Sequence, residues 1–279
     1  MSYKTILVHV DHSKHAPQRI RIAAEIALRE NAHLTGLAMT GVSRYLLDTM
    51  RVPDDGTVLK THVGFLRTQA EKALDHYEKI VRDMGVLSWE KRLVDDEPAG
   101  GVSLEARYAD LVVLGQTDTG EVLPAMMDDF PEYVVMYSGR PVLIVPYAGN
   151  FSHIGRKVLV AWDGSQEASR ALDGALPLLR EAAEVKVVVF NAEQQVNMHG
   201  EQPGADIALY LARHGVKVDV MQETTETDSG NALLSLAADT FADLLVMGCY
   251  AHSRFRELLL GGASRTVLES MTLPVLMAH

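Results

Sequence analysis

Cysteine is almost missing from this chain: Cys249 is the sole example in 279 residues. One cysteine cannot close a disulfide within the chain, so a reducing cytoplasm is the expected setting. Positive charge is also short. Lys and Arg number 26 against 37 Asp and Glu, a formal net charge of -11. That balance opposes nonspecific binding to nucleic acid and to anionic lipid, and neither nucleic acid nor a membrane is expected as a partner. A small anion held by local donors stays compatible with it. No apolar run approaches the ~18 residues of a membrane span. The start, Met1-Ser2-Tyr3-Lys4 and a short apolar run broken by His9 and Asp11, is not expected to act as a secretory signal. The P-loop, the Gly-x-Ser-x-Gly elbow and the His-Glu-x2-His zinc motif are all missing.

What is present is an ordinary globular composition, 47% hydrophobic and 23% charged. At roughly 100–200 residues per domain, the length suggests two domains. An internal repeat supports this. KTILVHVDHS (4–13) matches KVLVAWDGS (157–165) when Asp11 is set on Asp163, an offset of 152. ADLVVLG (109–115) matches ADLLVMG (242–248), and RPVLIVP (140–146) matches LPVLMAH (273–279), both at an offset of 133. The expected domains are 1–149 and 152–279. Asp11 and Gly115 are 104 residues apart, Asp163 and Gly248 only 85, so the first half carries 19 extra residues in its middle.

Both halves alternate strand and helix. In the second, apolar runs at Lys157–Trp162, Val185–Phe190 and Leu244–Met247 read as buried strands. Gln166–Ala182 carries Ala168, Ala171, Leu172, Ala175, Leu178 and Leu179 at helical spacing. Further helices are expected at Ala205–Arg213, Asn231–Ala242 and Ser264–Met271, with strands at Val216–Met221 and Pro274–Ala278. The first half reads the same way, with a longer second helix near Leu59–Met84. Continuous apolar strands between helices imply an α/β fold, with a parallel sheet covered on both faces. The less regular segment 40–57 holds Tyr45, Leu46, Leu47 and Met50 next to Met39. It reads as core cover or as part of an apolar pocket.

In open parallel sheets ligands bind beyond the carboxyl ends of the strands, where the order reverses. In the second half this selects Asp163-Gly164-Ser165 and the run Gly248 to Arg254. Gly261-Gly262-Ala263-Ser264 follows and opens a helix, whose unpaired N–H groups and positive dipole end suit an anion. Arg254, Arg256 and Arg265 lie in the same stretch. Asp163-Gly164-Ser165 also reads simply as a turn and helix cap.

At these residues the chain resembles the universal stress protein family, whose nucleotide motif is Gly-x2-Gly-x9-Gly-(Ser/Thr). Gly248 and Gly261 hold their motif positions. Ala251 stands at the second glycine and Gly262 at the hydroxyl position, with Ser264 close by. The run from Gly248 through His252 and Arg254 matches the wording of the tandem type. The resemblance implies two Rossmann-like domains of the adenine nucleotide alpha hydrolase-like kind, each with a five-stranded parallel sheet. It implies ATP, with Mg, in the second domain, and a stress-response protein of regulatory or protective role. By position, Asp163 would meet the adenine–ribose end and Asn191 would lie near the base. Met247 and Gly248 would flank the ribose and phosphates, and Gly261, Gly262, Ala263 and Ser264 would cradle the phosphates. The halves would form an intramolecular pseudo-dimer meeting at 141–146 and 274–278, and a homodimer is compatible with the family. The motif holds no evident general base, so hydrolysis is expected to be slow at most.

The first half departs further. Asp118 replaces the second glycine, and Asp128, Asp129, Phe130 and Pro131 fall where phosphates would sit. Carboxylates there repel phosphate and Pro131 lacks a donor, so this half is expected to be structural or to hold another ligand. The alternative for the whole chain is a non-nucleotide carrier of an apolar molecule, or a protein-interaction module with a vestigial nucleotide site. A redox or hydrolytic role for Cys249 or His252 is a third reading, with Cys249 as a buried small hydrophobe its plainer one. His9, His12 and His15 are spaced by three, yet one lies in a strand and another near a helix start, so no metal is expected.

Overall fold

The computed structural model describes residues 2–43, 57–118, 120–121, 129–194, 202–250 and 262–279. Most of the 40–57 segment therefore lies outside the described residues, as do Asp128, Ala251, His252, Arg254 and Gly261. The chain divides by packing into two compact units, Tyr3–Gly139 and Arg140–His279.

The first unit runs β1 (Thr5–His9), α1 (Ala16–Glu30), β2 (His33–Met39), α2 (Thr57–Asp83), β3 (Trp89–Val94), α3 (Pro98–Glu105), β4 (Leu111–Gly115) and α4 (Phe130–Ser138). Its strands are ordered β3-β2-β1-β4 and all pair in parallel. The chain steps outward from β1 to β3, then crosses to β4 on the other side of β1. The sheet order therefore reverses at the β1/β4 boundary, where ligand sites of such sheets form.

The second unit runs β5 (Val142–Val145), β6 (Lys157–Ala161), α5 (Gln166–Glu181), β7 (Glu184–Phe190), α6 (Ala205–Arg213), β8 (Asp219–Glu223), α7 (Ser229–Asp239), β9 (Leu244–Gly248), α8 (Ala263–Ser270) and β10 (Val275–Ala278). Its order is β5-β10-β9-β6-β7-β8. The pairs from β10 to β8 are parallel, and β5 lies antiparallel to β10, with Leu143 opposite Leu276. By sequence β5 closes the first repeat; by packing it sits with the second.

Burial explains the residue choice. Strands β4, β5 and β10 are buried at every position and are almost wholly Val, Leu, Ile, Met and Ala. Edge strands β3 and β8 carry Glu90, Lys91 and Arg92, and Asp219 and Glu223, on half-exposed backbones. Charge on an edge discourages pairing with another chain. The 19 extra residues of the first half go largely into α2, 27 residues long where α6 has nine. Tyr77 anchors α2 to the sheet: its ring is fully buried and its hydroxyl donates to the Leu34 carbonyl at 2.8 Å. Among the described residues no helix is long and apolar enough to cross a membrane.

Candidate functional site

The carboxyl ends of β6, β7 and β9 gather the described residues of the second-half motif. Asp163 follows β6. Its Oδ1 accepts from the Ser165 N–H at 2.9 Å, and the Ser165 hydroxyl accepts from the Ala168 N–H at 3.0 Å. Ser165 is thus the N-cap of α5, as the turn-and-cap reading has it. The Asp163 side chain is half-buried, and no cation among the described residues pairs with it.

Asn191 follows β7 in the left-handed region at φ 50°. Both polar atoms of its amide are taken by Thr225, accepting from its N–H at 2.9 Å and donating to its carbonyl at 3.1 Å. Its side chain staples the loop after β8. Met247 is buried within β9, in register with Met277.

Gly248 has a structural reason of its own. A Cβ there would lie 2.5 Å from the Ala168 nitrogen and 2.8 Å from the Glu167 carbonyl carbon. Both are backbone atoms of the first turn of α5, so the glycine lets that helix approach the end of β9. Gly248→Ala should cost about 1–3 kcal/mol by overpacking, read as a lowered urea midpoint with unchanged m. A variant as stable as the parent would contradict the close approach.

Gly262 is the N-cap of α8, with extended backbone and no side-chain cap, and Ala263 and Ser264 begin the helix. The Ser264 hydroxyl is buried and accepts from the Tyr250 N–H at 3.0 Å. This bond ties the start of the motif loop to its end. Cys249 is fully buried; its N–H donates to Ala278 and its carbonyl is bonded by the His279 ring. Such burial fits a small core hydrophobe and keeps reagents from the thiol.

The equivalent region of the first unit carries an ion pair of its own. Asp11 makes the same turn, with Oδ1 accepting from the Ser13 N–H at 3.0 Å. Beside it lies a residue that repeat matching overlooked, Arg19. It is 3% exposed; its Nε donates to the His9 carbonyl at 2.8 Å, and a terminal nitrogen forms an ion pair with Asp11 Oδ1 at 2.8 Å. The other terminal nitrogen takes the space that a Gly115 Cβ would need. At the offset of 152, the second-half counterpart of Arg19 is Ala171.

Burial pushes the Asp11 carboxyl up, but Arg19, the His9 ring and the Ser13 N–H outweigh it and leave it below the usual carboxylate range. His9 is 2% exposed. Burial lowers it to about 4, helped by Arg19 and opposed by Asp11. Its ring packs on Phe130, centroids 5.0 Å apart. Phe130 thus occupies the start of α4, where the second half presents Gly262 and Ala263.

The loops after β1 and β4 are latched together. Asp118 accepts from His15 at 3.1 Å, from Lys14 at 3.2 Å and from the Gly120 N–H at 2.9 Å. These partners, His15 first, hold its carboxyl below the ordinary range. Glu121 accepts from the Ser13 hydroxyl at 3.2 Å and from the Lys14 N–H at 3.1 Å. Of the three spaced histidines only His15 joins an acid cluster, with Asp118 and Glu121, and Lys14 already serves that cluster.

Comparison with known proteins decides the family. The universal stress protein family matches residues 2–146 and again 155–279. The chain belongs to the universal stress protein family. It is similar to the universal stress protein Slr1230 of Synechocystis, 27% identical over 170 residues, which are 60% of this chain and 57% of that relative's length. In fold it is similar to a universal stress protein from Archaeoglobus fulgidus, with 17% identity, a TM-score of 0.73, and coverage of 98% of this chain and 95% of that one. A structure from Pseudomonas aeruginosa, described as a putative universal stress protein, covers 98% of this chain and 92% of its own at 17% identity and TM-score 0.55. The Rossmann-like α/β architecture that the resemblance implies is therefore found, twice in one universal stress protein chain.

Proposed function

We propose that this universal stress protein binds one adenine nucleotide, ATP with Mg, in its second repeat, and acts as a regulatory or protective protein rather than a strong catalyst. The contrast between the two sheet-order reversals carries this reading. In the second repeat Asp163 has no cation beside it among the described residues, Ala171 stands where the first repeat has Arg19, and Gly262-Ala263-Ser264 opens α8 without a capping side chain. A helix start of that kind suits a phosphate. Asp163 would hold the ribose end, and the first turn of α8, with Gly261 before it, would receive the phosphates. Ala251, His252 and Arg254 complete the motif stretch, Arg254 as a phosphate partner. The nucleotide would supply the chemistry of a phosphoanhydride. The chain's own part is to bind and orient it.

In the first repeat, Arg19 fills the place beside Asp11, and Phe130 and Pro131 replace the phosphate donors. This half serves as a structural partner, forming with the second a pseudo-dimer within one chain, in a cytoplasmic setting.

Calorimetric titration of MgATP into the nucleotide-stripped full chain tests the proposal. Gly262→Asp, which puts at this position the carboxylate that Asp129 supplies in the first repeat, is titrated alongside. One site per chain is expected, weakened about tenfold or more in the variant by like charge. Two sites would overturn the reading of the first repeat. Absence of binding at millimolar nucleotide would overturn the function.

A further inference from the structure

We propose that the first unit binds a small primary amine, as its ammonium ion, in a cavity at the amino ends of β1, β2 and β3. Ligand sites of such sheets form at the carboxyl ends, so this one is separate from them. The register sets Thr5 beside His33, Leu7 beside Thr35 and Thr35 beside Glu90. Alternation along each strand puts these side chains, and Arg92 two residues after Glu90, on one face of the sheet. The helix on that face is α3, whose Gly101 packs on Met39 of β2. It has eight residues and ends at Glu105, where α2 on the other face has 27. A cavity of about 270 Å³ lies beside that end, lined by strand residues, Glu105 and Tyr108.

Three observations define the ligand. Glu90 and Glu105 share a single cation, Arg92, and each gives it one oxygen: Nη1 donates to Glu105 Oε2 at 2.8 Å and Nη2 to Glu90 Oε1. The Thr35 hydroxyl donates to the same Glu90 oxygen at 3.4 Å. The second oxygen of each carboxylate accepts no hydrogen bond among the described residues. His33 Nε2 stands 4.0 Å from Glu90 Oε2, and its Nδ1 is engaged by the Ser88 hydroxyl at 2.8 Å. Two carboxylates against one guanidinium repel an anion and favour a single positive charge. A metal ion fits poorly, because the guanidinium bonds both acids and the acids and histidine of this cavity do not converge as a ligand set. Lastly, the second repeat holds a built-in version of the contact. Tyr108 and Phe241 are equivalents at the offset of 133, and each is 78% exposed. Lys157 lays its ammonium over the Phe241 ring, 5.7 Å from the centroid, and 3.8 Å from Glu184. Thr5 is the first-half equivalent of Lys157 at the offset of 152, and the pairing agrees, with Thr5 beside His33 and Lys157 beside Glu184. The first repeat therefore has the ring and the acids, but threonine where the second has its ammonium. An ammonium from solution on the Tyr108 face, bonded to the carboxylates, completes the set. Apolar cavities of about 150 Å³ hold benzene, so the amine has roughly ten heavy atoms or fewer.

The test titrates the full chain with 2-phenylethylamine at pH 8, where a primary amine keeps its proton and a free imidazole does not. The alcohol 2-phenylethanol and the anion 3-phenylpropionate replace the ammonium by a neutral and a negative group. One amine site per chain is expected, with the alcohol about tenfold weaker or more and the anion without binding. Thr5→Lys, which installs the ammonium of the second repeat, should abolish amine binding, and Glu105→Gln should weaken it about tenfold. Phe241→Leu, which alters the other repeat, should leave it unchanged. Urea midpoints show which variants are folded; if Thr5→Lys is not, the alcohol comparison and Glu105→Gln decide. Absence of amine binding up to about 10 mM would overturn the proposal. So would an alcohol that binds as well as the amine, an amine affinity unmoved by a folded Thr5→Lys or by Glu105→Gln, or one lost in Phe241→Leu.

Discussion

Arg19→Met is expected to destabilise the chain by about 3–5 kcal/mol, the usual cost of stripping a buried charge of its partner. The Asp11 side chain is 14% exposed and that of Arg19 is 4% exposed. Without the guanidinium, the carboxylate keeps the Ser13 N–H but loses its cation, and the His9 carbonyl loses a donor at 2.8 Å. Methionine retains much of the apolar stem, so packing alone costs less. The charge argument has its own control. Adding Asp11→Asn to Arg19→Met removes the orphaned carboxylate and should restore a sizeable part of the loss. Urea unfolding of the parent, the single variant and the double variant at pH 7 gives the comparison. A single variant within about 1 kcal/mol of the parent would show that the pair carries no weight. A double variant no better than the single would assign the loss to packing.

The same residue shows how far the sequence could be read. The duplication, the strand–helix alternation and the strand-end positions of the site were all legible, because they rest on local period and on two copies of one pattern. The long helix expected at Leu59–Met84 is found at Thr57–Asp83. What individual side chains do was less accessible, because their partners arrive through tertiary contact. The Asn191 amide is spent on Thr225, 34 residues away. Gly248 reads as a nucleotide glycine, yet it also meets the first turn of α5. Glu121 and Asp118 reach the β1–α1 loop across more than a hundred residues. Arg19 alone had a signal available. An arginine facing an alanine in the other copy, eight residues past the strand-end aspartate, marks a buried cation that one half needs and the other lacks.

Burial of His9 governs the response to acid. As pH falls from 6.5 to about 4, His9 alone should cost the fold up to about 3 kcal/mol. An unfolded histidine takes its proton near pH 6.5, but the folded ring resists protonation down to about 4. Burial is the main cause. Arg19 opposes a second positive charge, and Asp11, 3.5 Å from Nδ1, only partly compensates. Across that window the unfolded chain binds the extra proton, so stability falls as pH falls. The contribution is complete above pH 6.5 and gone below about 4. The slope from this one group cannot exceed about 1.4 kcal/mol per pH unit. Asp11, held low by Arg19, adds its own loss as pH falls below the ordinary carboxylate range. Urea unfolding of the parent and of His9→Gln, from pH 7 to 4.5, isolates the histidine. The parent should lose stability more steeply, so that the gap between the two closes as pH drops. The imidazole resonances of His9 should stay unshifted above pH 5. A ring that titrates near 6.5, or parallel pH profiles for the two proteins, would refute the assignment.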